Sequence, residues 1–411
     1  MEEIYERCCA LDVHKATVSA CVRVPDRSDE RTELKERFST VTSDLLALRD
    51  WLQGLGVTHV AMEATGVYWK PVWYVLEDDF ELILCNAAHV KNVPGRKTDA
   101  SDAQWLCQLL EHGLLRGSFV PPKPIRELRD LTRYRKTLIK ERQREANRLH
   151  KVLEDAGIKL SSVAADILGV SGRAMIEALI AGQADPELLA ELARGRLRAK
   201  LPALREALNG HFSRHHARLA AHIIDHLSYL EQTIETLSEE IGGLISPFEP
   251  QVELLQTITG VGRRAAECVL AELGPDMSRF PSHRHAARWA RICPGNNESG
   301  GKRRHGSTGG GNPWLREILI ECARAASRSR DTYLKAQYLR LRRSRGDSKA
   351  IVAVAHSILV SAYYVLSRNE PYHDLGFDHY DRFRSHDHQI RRLTRQLEAL
   401  GHRVTLEPLA A

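Results

Sequence analysis

Two short apolar runs near the start of the chain each end in a carboxylate. Cys8-Cys9-Ala10-Leu11 leads into Asp12, and His59-Val60-Ala61-Met62 leads into Glu63. Runs of this length and character read as buried strands. An acid at the end of such a strand is costly unless a partner or a cation neutralises it. Asp99 and Asp102 add two more acids at the start of an expected helix, KTDASDAQWLCQLLEHG, and their i, i+3 spacing puts both on one face. At an effective dielectric near 20, two such charges about 5 Å apart repel by roughly 3 kcal/mol. An oxygen-only cluster suits Mg²⁺ or Mn²⁺ rather than zinc. Four acids around a hard cation point to phosphoryl transfer on a polyanion.

The charge pattern agrees with a polyanion partner. The net charge of +6 conceals strong segregation. Residues 1–122 carry 13 Lys+Arg against 19 Asp+Glu, net −6, and residues 123–151 carry 11 against 4, net +7. Residues 152–278 carry 11 against 18, net −7, and residues 279–349 carry 17 against 5, net +12. An acidic, cation-holding domain beside two concentrated basic segments is the pattern of a nucleic-acid enzyme. The 8 cysteines contain no C-x-x-C pair, so neither a zinc knuckle nor a disulfide framework is expected, and a reducing cytoplasm fits. The N-terminus reads without a signal peptide. The longest apolar stretch, Ala350 to Leu366, contains His356, Ser357 and Ser361; it reads as a buried helix, and no membrane partner is expected.

A chain of 411 residues has room for two or three domains. Residues 5–24 read as two strands turning near His14-Lys15-Ala16. A helix over Thr42–Leu55, a strand over Val57–Met62, a glycine turn at Gly66, a helix over Trp69–Leu76, a strand over Phe80–Cys85 and a helix from about Asp99 to His112 follow. Strands alternating with helices imply a mixed sheet covered on its faces, compatible with an RNase H-like domain. Pro121-Pro122-Lys123-Pro124 reads as a stiff linker. Beyond it a helix runs from Ile125 to about Leu153, in which Arg135, Arg142 and Glu145 interrupt the apolar seam and leave basic rows for phosphates. Ile223, Leu227, Leu230, Ile234, Leu237, Ile241 and Leu244 then step by 4 and 3. That is a heptad seam, for a coiled coil or a helix packed within its own domain.

Two later segments carry candidate chemistry. Residues 254–266, LLQTITGVGRRAA, read as a helix-hairpin-helix in which Gly260 and Gly262 make the turn. The next helix would offer its N–H groups to a phosphate, with Arg263 and Arg264 adding charge. Residues 294–316, PGNNESGGKRRHGSTGGGNPWLR, mix glycine with Lys302, Arg303 and Arg304 in a phosphate-seeking loop. Ser299 precedes Gly300 there, so its hydroxyl could approach a phosphodiester as a nucleophile, or be an ordinary loop residue.

In order along the chain, LDVHK (11–15), MEATG (62–66), KTDASDA (97–103), TGVG (259–262) and the 294–316 loop resemble the DEDD transposases of bacterial insertion sequences. The resemblance is specifically to insertion-sequence family one-ten, which includes the Piv-type DNA invertases, and it covers roughly residues 5–372 with Pro371-Tyr372. It implies an α/β plus all-α chain: an RNase H-like (RuvC-like) DEDD domain (1–122), a helical coiled-coil middle (123–250), and a transposase domain with helix-hairpin-helix and serine (251–372). A tail (373–411) lies outside it, whose histidines 373, 379, 386, 388 and 402 read as surface residues. The resemblance assigns Asp12, Glu63, Asp99 and Asp102 as metal ligands and Ser299 as nucleophile, with Ser307 its nearest rival. It further implies a phosphoserine link to DNA, a site shared between subunits, a structured guide (bridge) RNA choosing donor and target DNA, and a bacterial cytoplasmic, nucleoid-associated setting; because recombination needs paired cuts, a homodimer or homotetramer is expected. Where relatives have Thr-Lys-x-Gly-Asn, this chain has Thr308-Gly309-Gly310-Gly311-Asn312 and lacks the basic residue. The competing readings are a junction-resolving nuclease that hydrolyses DNA without a covalent intermediate, and a non-catalytic nucleic-acid scaffold.

Overall fold

Strand β1 (Cys8–Val13) sits at the middle of a sheet and is apolar on both faces: Cys8, Cys9, Ala10 and Leu11 are fully buried. The computed structural model describes residues 4–25, 31–86, 90, 102–293, 298–299, 302–303, 311–382 and 386–406. It divides the chain into two units, Met1–Pro121 and Pro122–Ala411. In the first, β1, β2 (Thr17–Pro25), β3 (Arg31–Ser39), β4 (His59–Glu63) and β5 (Glu81–Cys85) form one sheet in the order β3-β2-β1-β4-β5. The β1–β2 and β2–β3 pairs are antiparallel, whereas β1–β4 and β4–β5 are parallel. Helix α1 (Thr42–Gly54) links β3 to β4, and α2 (Trp69–Leu76) links β4 to β5.

Strand alternation sorts the side chains between two cores. Cys9, Leu11 and Val13 pack with Val60 and Met62 of β4, Leu45, Leu48 and Leu52 of α1, and Val72 and Leu76 of α2. Cys8 and Ala10 face the other way, with Ala61, and meet Leu106, Cys107 and Leu110 of α3 (Asp102–Glu111). This covered mixed sheet is the arrangement expected of an RNase H-like domain. The sequence reading missed β3. As an edge strand it puts only Leu34 and Phe38 against the core, and its charged, half-exposed face hides the alternation.

Among the described residues, the second unit is helical apart from a two-strand hairpin. Helix α4 spans Lys123–Asp155, with Pro122 as its N-cap. Pro124 therefore lies in the first helical turn, where a missing N–H costs nothing, and not in a linker. Helices α5 (Leu160–Val163), α6 (Val170–Ile180), α7 (Pro186–Glu191) and α8 (Leu201–Leu208) build a small core over the end of α4, around Leu149, Leu153, Met175, Leu189 and Leu204. Helix α9 (Arg214–Ile245) returns antiparallel along α4, as the Arg135–Ser238, Arg142–Glu231 and His226–Glu145 contacts show. The heptad seam is thus used inside the chain: Leu230, Ile234 and Leu237 pack on Leu138 and Leu131. At its two ends the buried positions are Ile224 and Ile245 rather than Ile223 and Leu244. An α-helix of 3.6 residues per turn drifts off a strict seven-residue repeat.

Beyond α9 come α10 (Glu249–Gln256), α11 (Arg263–Leu273), α12 (His283–Trp289), α13 (Pro313–Ala326), α14 (Tyr333–Arg345) and α15 (Asp347–Arg368). Helix α15 is long and apolar enough to cross a membrane, with a mean hydropathy of 1.8. It is nevertheless a core helix of this unit: Ala350, Ile351, Val354, Ile358 and Leu359 are buried, and it packs against α12, α13 and α14. The tail is not wholly separate. Asp374 accepts hydrogen bonds from the Tyr333 N–H (2.9 Å) and the Thr259 hydroxyl (3.3 Å), and the His379 ring packs edge-on against Tyr333. Short helices over His379–Arg382 and His386–Ala399 follow.

A buried charge cluster closes the start of the first unit. The Glu111 side chain is 2% exposed and meets Arg23 Nε at 3.1 Å and Arg31 Nε at 2.8 Å, tying α3 to β2 and β3. Removing one partner of a buried ion pair leaves an uncompensated charge, so Glu111→Gln should cost this unit about 3 kcal/mol. Urea unfolding of the full chain, read with hydrogen exchange on β1–β3 peptides, measures it.

Candidate active site

The geometry of the first unit follows from pairing. In the parallel β1–β4 register Leu11 stands opposite Met62, so Asp12 and Glu63 are the next residues of neighbouring strands. Alternation turns both away from the Leu11–Met62 core, onto the face that α3 covers. Helix α3 crosses that face against β1. Cys107 Sγ lies 3.8 Å from Cys8 Sγ, and the Glu111 carbonyl accepts from the N–H groups of Ile4 (2.9 Å) and Tyr5 (3.2 Å). The C-terminal half of α3 therefore lies over the start of β1, and Asp102, its first residue, is directed toward the end where Asp12 stands. An acid in the first turn also suits the helix dipole.

The Asp12 side chain is 31% exposed and His14 Nε2 lies 3.2 Å from its Oδ2. Cys85 pairs with Glu63 across β4–β5, and burial together with the Glu63 charge pushes its thiol up to about 12. Among the described residues, no three His, Cys, Asp or Glu side chains gather into a group that could hold a metal ion. Asp99 lies outside the described residues.

In the second unit, β6 (Glu298–Ser299) and β7 (Lys302–Arg303) form a small antiparallel hairpin with Ser299 opposite Lys302. Arg304 and Ser307 lie outside the described residues. Asn312 ends the loop as the N-cap of α13: its Oδ1 accepts from the N–H groups of Trp314 and Leu315 at 3.1 Å, while its Nδ2 donates to Glu272 at 2.6 Å.

The predicted basic row of α4 is a correction. Arg135 is 2% exposed and its Nη2 donates to Glu267 at 2.7 Å; Arg142 donates twice to Glu231. Arg133 binds Glu272 through two bonds (2.7 and 2.8 Å), Lys136 reaches Glu321 at 2.8 Å, and Lys140 reaches Glu317 at 2.6 Å. Arg129 donates to the Ala271 and Glu272 carbonyls, and burial pulls its guanidinium down to about 10, still charged at neutral pH. Arg142 binds α9 to α4, and the other cations bind α11 and α13 to it. A positive count per segment cannot separate such internal pairs from a phosphate surface.

The joint between α10 and α11 has the predicted turn, used differently at its two glycines. Gly260 has φ +88, and a Cβ on it would lie 2.5 Å from the Cys322 carbonyl oxygen and 2.8 Å from Ala326 N. Its role is close packing on α13. Gly262 is the N-cap of α11 and has nothing within 4 Å of a built Cβ. Arg263 is engaged by Glu249 and Glu267, whereas Arg264 is exposed and enters no ion pair among the described residues.

Comparison with known proteins identifies the family. A DEDD transposase model of the IS110 type matches residues 9–158, and the "Transposase IS116/IS110/IS902 family" model matches residues 252–339. The chain belongs to the IS110 family of transposases. A "Probable family 20 transposase" of Pseudomonas aeruginosa is 27% identical over 334 residues, covering 79% of this chain and 88% of the relative. The "Transposase for insertion sequence element IS1328" of Yersinia enterocolitica is 26% identical over 297 residues, covering 71% and 76%. The protein is accordingly an enzyme of DNA transposition, and its substrate is DNA. The first match covers the sheet from Cys9 onward and the four acids, while the second spans the joint and the serine hairpin.

Sequence reasoning missed His14 in this transposase. His14 lies just beyond the end of β1, in the turn to β2, and its ring reaches back to Asp12; strand periodicity does not signal that contact. The joint yields a test. Gly260→Ala places a Cβ against backbone at positive φ and should cost the transposase about 3 kcal/mol. Gly262→Ala should cost less than about 1 kcal/mol. Denaturant midpoints of the two variants check the contrast.

Proposed function

We propose that this transposase cuts and rejoins DNA strands through a divalent-metal carboxylate site on its first unit and a phosphoserine on its second. Asp12, Glu63, Asp99 and Asp102 would hold Mg²⁺ or Mn²⁺; the donor set fits, being all hard carboxylate oxygen with two members on adjacent strand ends. The bound ion would supply charge stabilisation at the scissile phosphate. The observation that carries this reading is the placement of Asp12 and Glu63 at the same end and on the same face of two parallel strands.

The Ser299 hydroxyl attacks phosphorus, forming an Oγ–P bond as the P–O bond to one DNA end breaks. The serine proton passes to solvent, and the departing oxygen takes up another. Because a phosphodiester is kept, a DNA hydroxyl can later displace the serine without ATP. Carboxylates and serine sit on different units, which suits a site completed by two subunits of a homodimer or homotetramer. The α4–α9 pair would act as the coiled-coil stalk, and the α10–α11 joint as a helix-hairpin-helix holding a phosphate at Gly262 and Arg264, with Arg263 held by Glu249 and Glu267. Lys302, Arg303 and Arg304 would hold the DNA backbone beside the serine, and a bridge RNA would select donor and target by base pairing.

Ser299→Ala should abolish denaturation-resistant protein–DNA adducts while DNA affinity stays within about twofold. Asp12→Asn should slow cleavage by about 10²–10⁴-fold, as loss of several kcal/mol of transition-state stabilisation requires. Adducts retained by Ser299→Ala would move the nucleophile elsewhere. Cleavage by the unaltered protein with no adduct at any time would make it a hydrolytic nuclease.

A further inference from the structure

The two basic segments, alike in sequence, part company in the structure. On α4, Arg129, Arg133, Arg135, Lys136, Lys140 and Arg142 are each paired with an acid of the same unit. At the α14–α15 turn the reverse holds. Residues 340–349 contain five cations, Arg340, Arg342, Arg343, Arg345 and Lys349, against the single acid Asp347, a balance of 5 − 1 = +4. All five are exposed, and none forms an ion pair with an acid among the described residues. Asp347 is itself engaged, accepting a hydrogen bond from the Tyr338 hydroxyl at 2.6 Å.

The tip is also built to a shape. Gly346, at φ +79, joins the two helices with no intervening loop, so α14 and α15 form a hairpin whose end carries the charge. Two guanidiniums rest on rings: Arg340 lies 4.3 Å from the centroid of Tyr380, and Arg342 lies 5.9 Å from that of Tyr338. A guanidinium resting against a ring loses less freedom on binding an anion. Basic residues in a last helical turn do favour the helix dipole, by about 0.3–1 kcal/mol each. Three of them there, with two more cations beside them, exceed what the dipole needs.

We propose that the tip of the α14–α15 hairpin is a clamp for the phosphate backbone of duplex DNA. It rests on the transposase reading only for the nature of the polyanion. The chemistry favours a duplex over a single strand. Single-strand sites offer aromatic faces on which bases stack, whereas the Tyr338 ring here already meets Arg342, and the Tyr380 ring, stacked on Tyr333, already meets Arg340. It favours DNA over an RNA duplex because a helix enters the wide major groove of B-DNA, whereas the deep, narrow groove of A-form RNA excludes it.

The test is binding of the full chain to a labelled DNA duplex, followed by fluorescence anisotropy without divalent metal across a salt series. The absence of metal makes the result independent of whether Asp12 and Glu63 act as proposed. A variant combining Arg342→Gln, Arg343→Gln and Arg345→Gln should lose at least about tenfold in affinity near 0.1 M salt. The slope of log K against log salt should become shallower by about 2–3, since each phosphate contact contributes roughly 0.9. The matching Arg→Lys variant should keep the slope, which controls for folding. Unchanged affinity and slope in the glutamine variant would overturn the proposal. So would loss of single-stranded DNA or structured RNA binding with duplex binding intact.

Discussion

The parallel pairing of β1 with β4 is the constraint on which the first unit depends. It buries Cys9, Leu11, Val60 and Met62 against α1 and α2, and it sets the register that makes Asp12 and Glu63 neighbours. A slip of one residue in either strand would turn its acid into the aliphatic core, where an unpaired carboxylate is far too costly. The burial that stabilises the sheet therefore also fixes both acids on the face crossed by α3. Position and stability have one origin here.

Electrostatics divides the second unit into an inside and an outside. Burying Arg135 against Glu267, with Arg133, Lys136 and Lys140 paired alongside, gives little net stability, because desolvation offsets most of the attraction. What such pairs give is specificity. Each guanidinium or ammonium accepts few alternative partners, so α4, α11 and α13 have one mutual register. The acids Glu317 and Glu321 are drawn to α4 in this way. Arg340, Arg342, Arg343 and Arg345 of the following helix are then left without counter-charges among the described residues, which is what a phosphate surface requires.

Much of this was legible beforehand, for physical reasons. Buried strands such as β1 and β4 are continuous apolar runs, and the helices over 42–54 and 69–76 repeat at helical spacing. The edge strand β3 was invisible because one of its faces is solvated and charged. The seam of α9 was read correctly at its centre and missed by one residue at both ends, where helical drift accumulates. Among the candidate site residues, Asp12 and Glu63 are legible as acids ending apolar strands, and the β1–β4 pairing then makes them neighbours. Arg135 and Arg142 were misread because segment charge says nothing about which cations meet an acid distant in sequence. The close approach of Gly260 to α13 is likewise tertiary, and no local pattern encodes it.

The central claim is that Asp12 and Glu63, delivered by adjacent strands, grip one cation. Anomalous diffraction from crystals of the protein soaked in Mn²⁺ tests it directly. The account predicts a single strong peak about 2.1 Å from an oxygen of each carboxylate, within the range of hard divalent ions. A peak touching only one of them, or an ion held elsewhere while both stay bare, would contradict it.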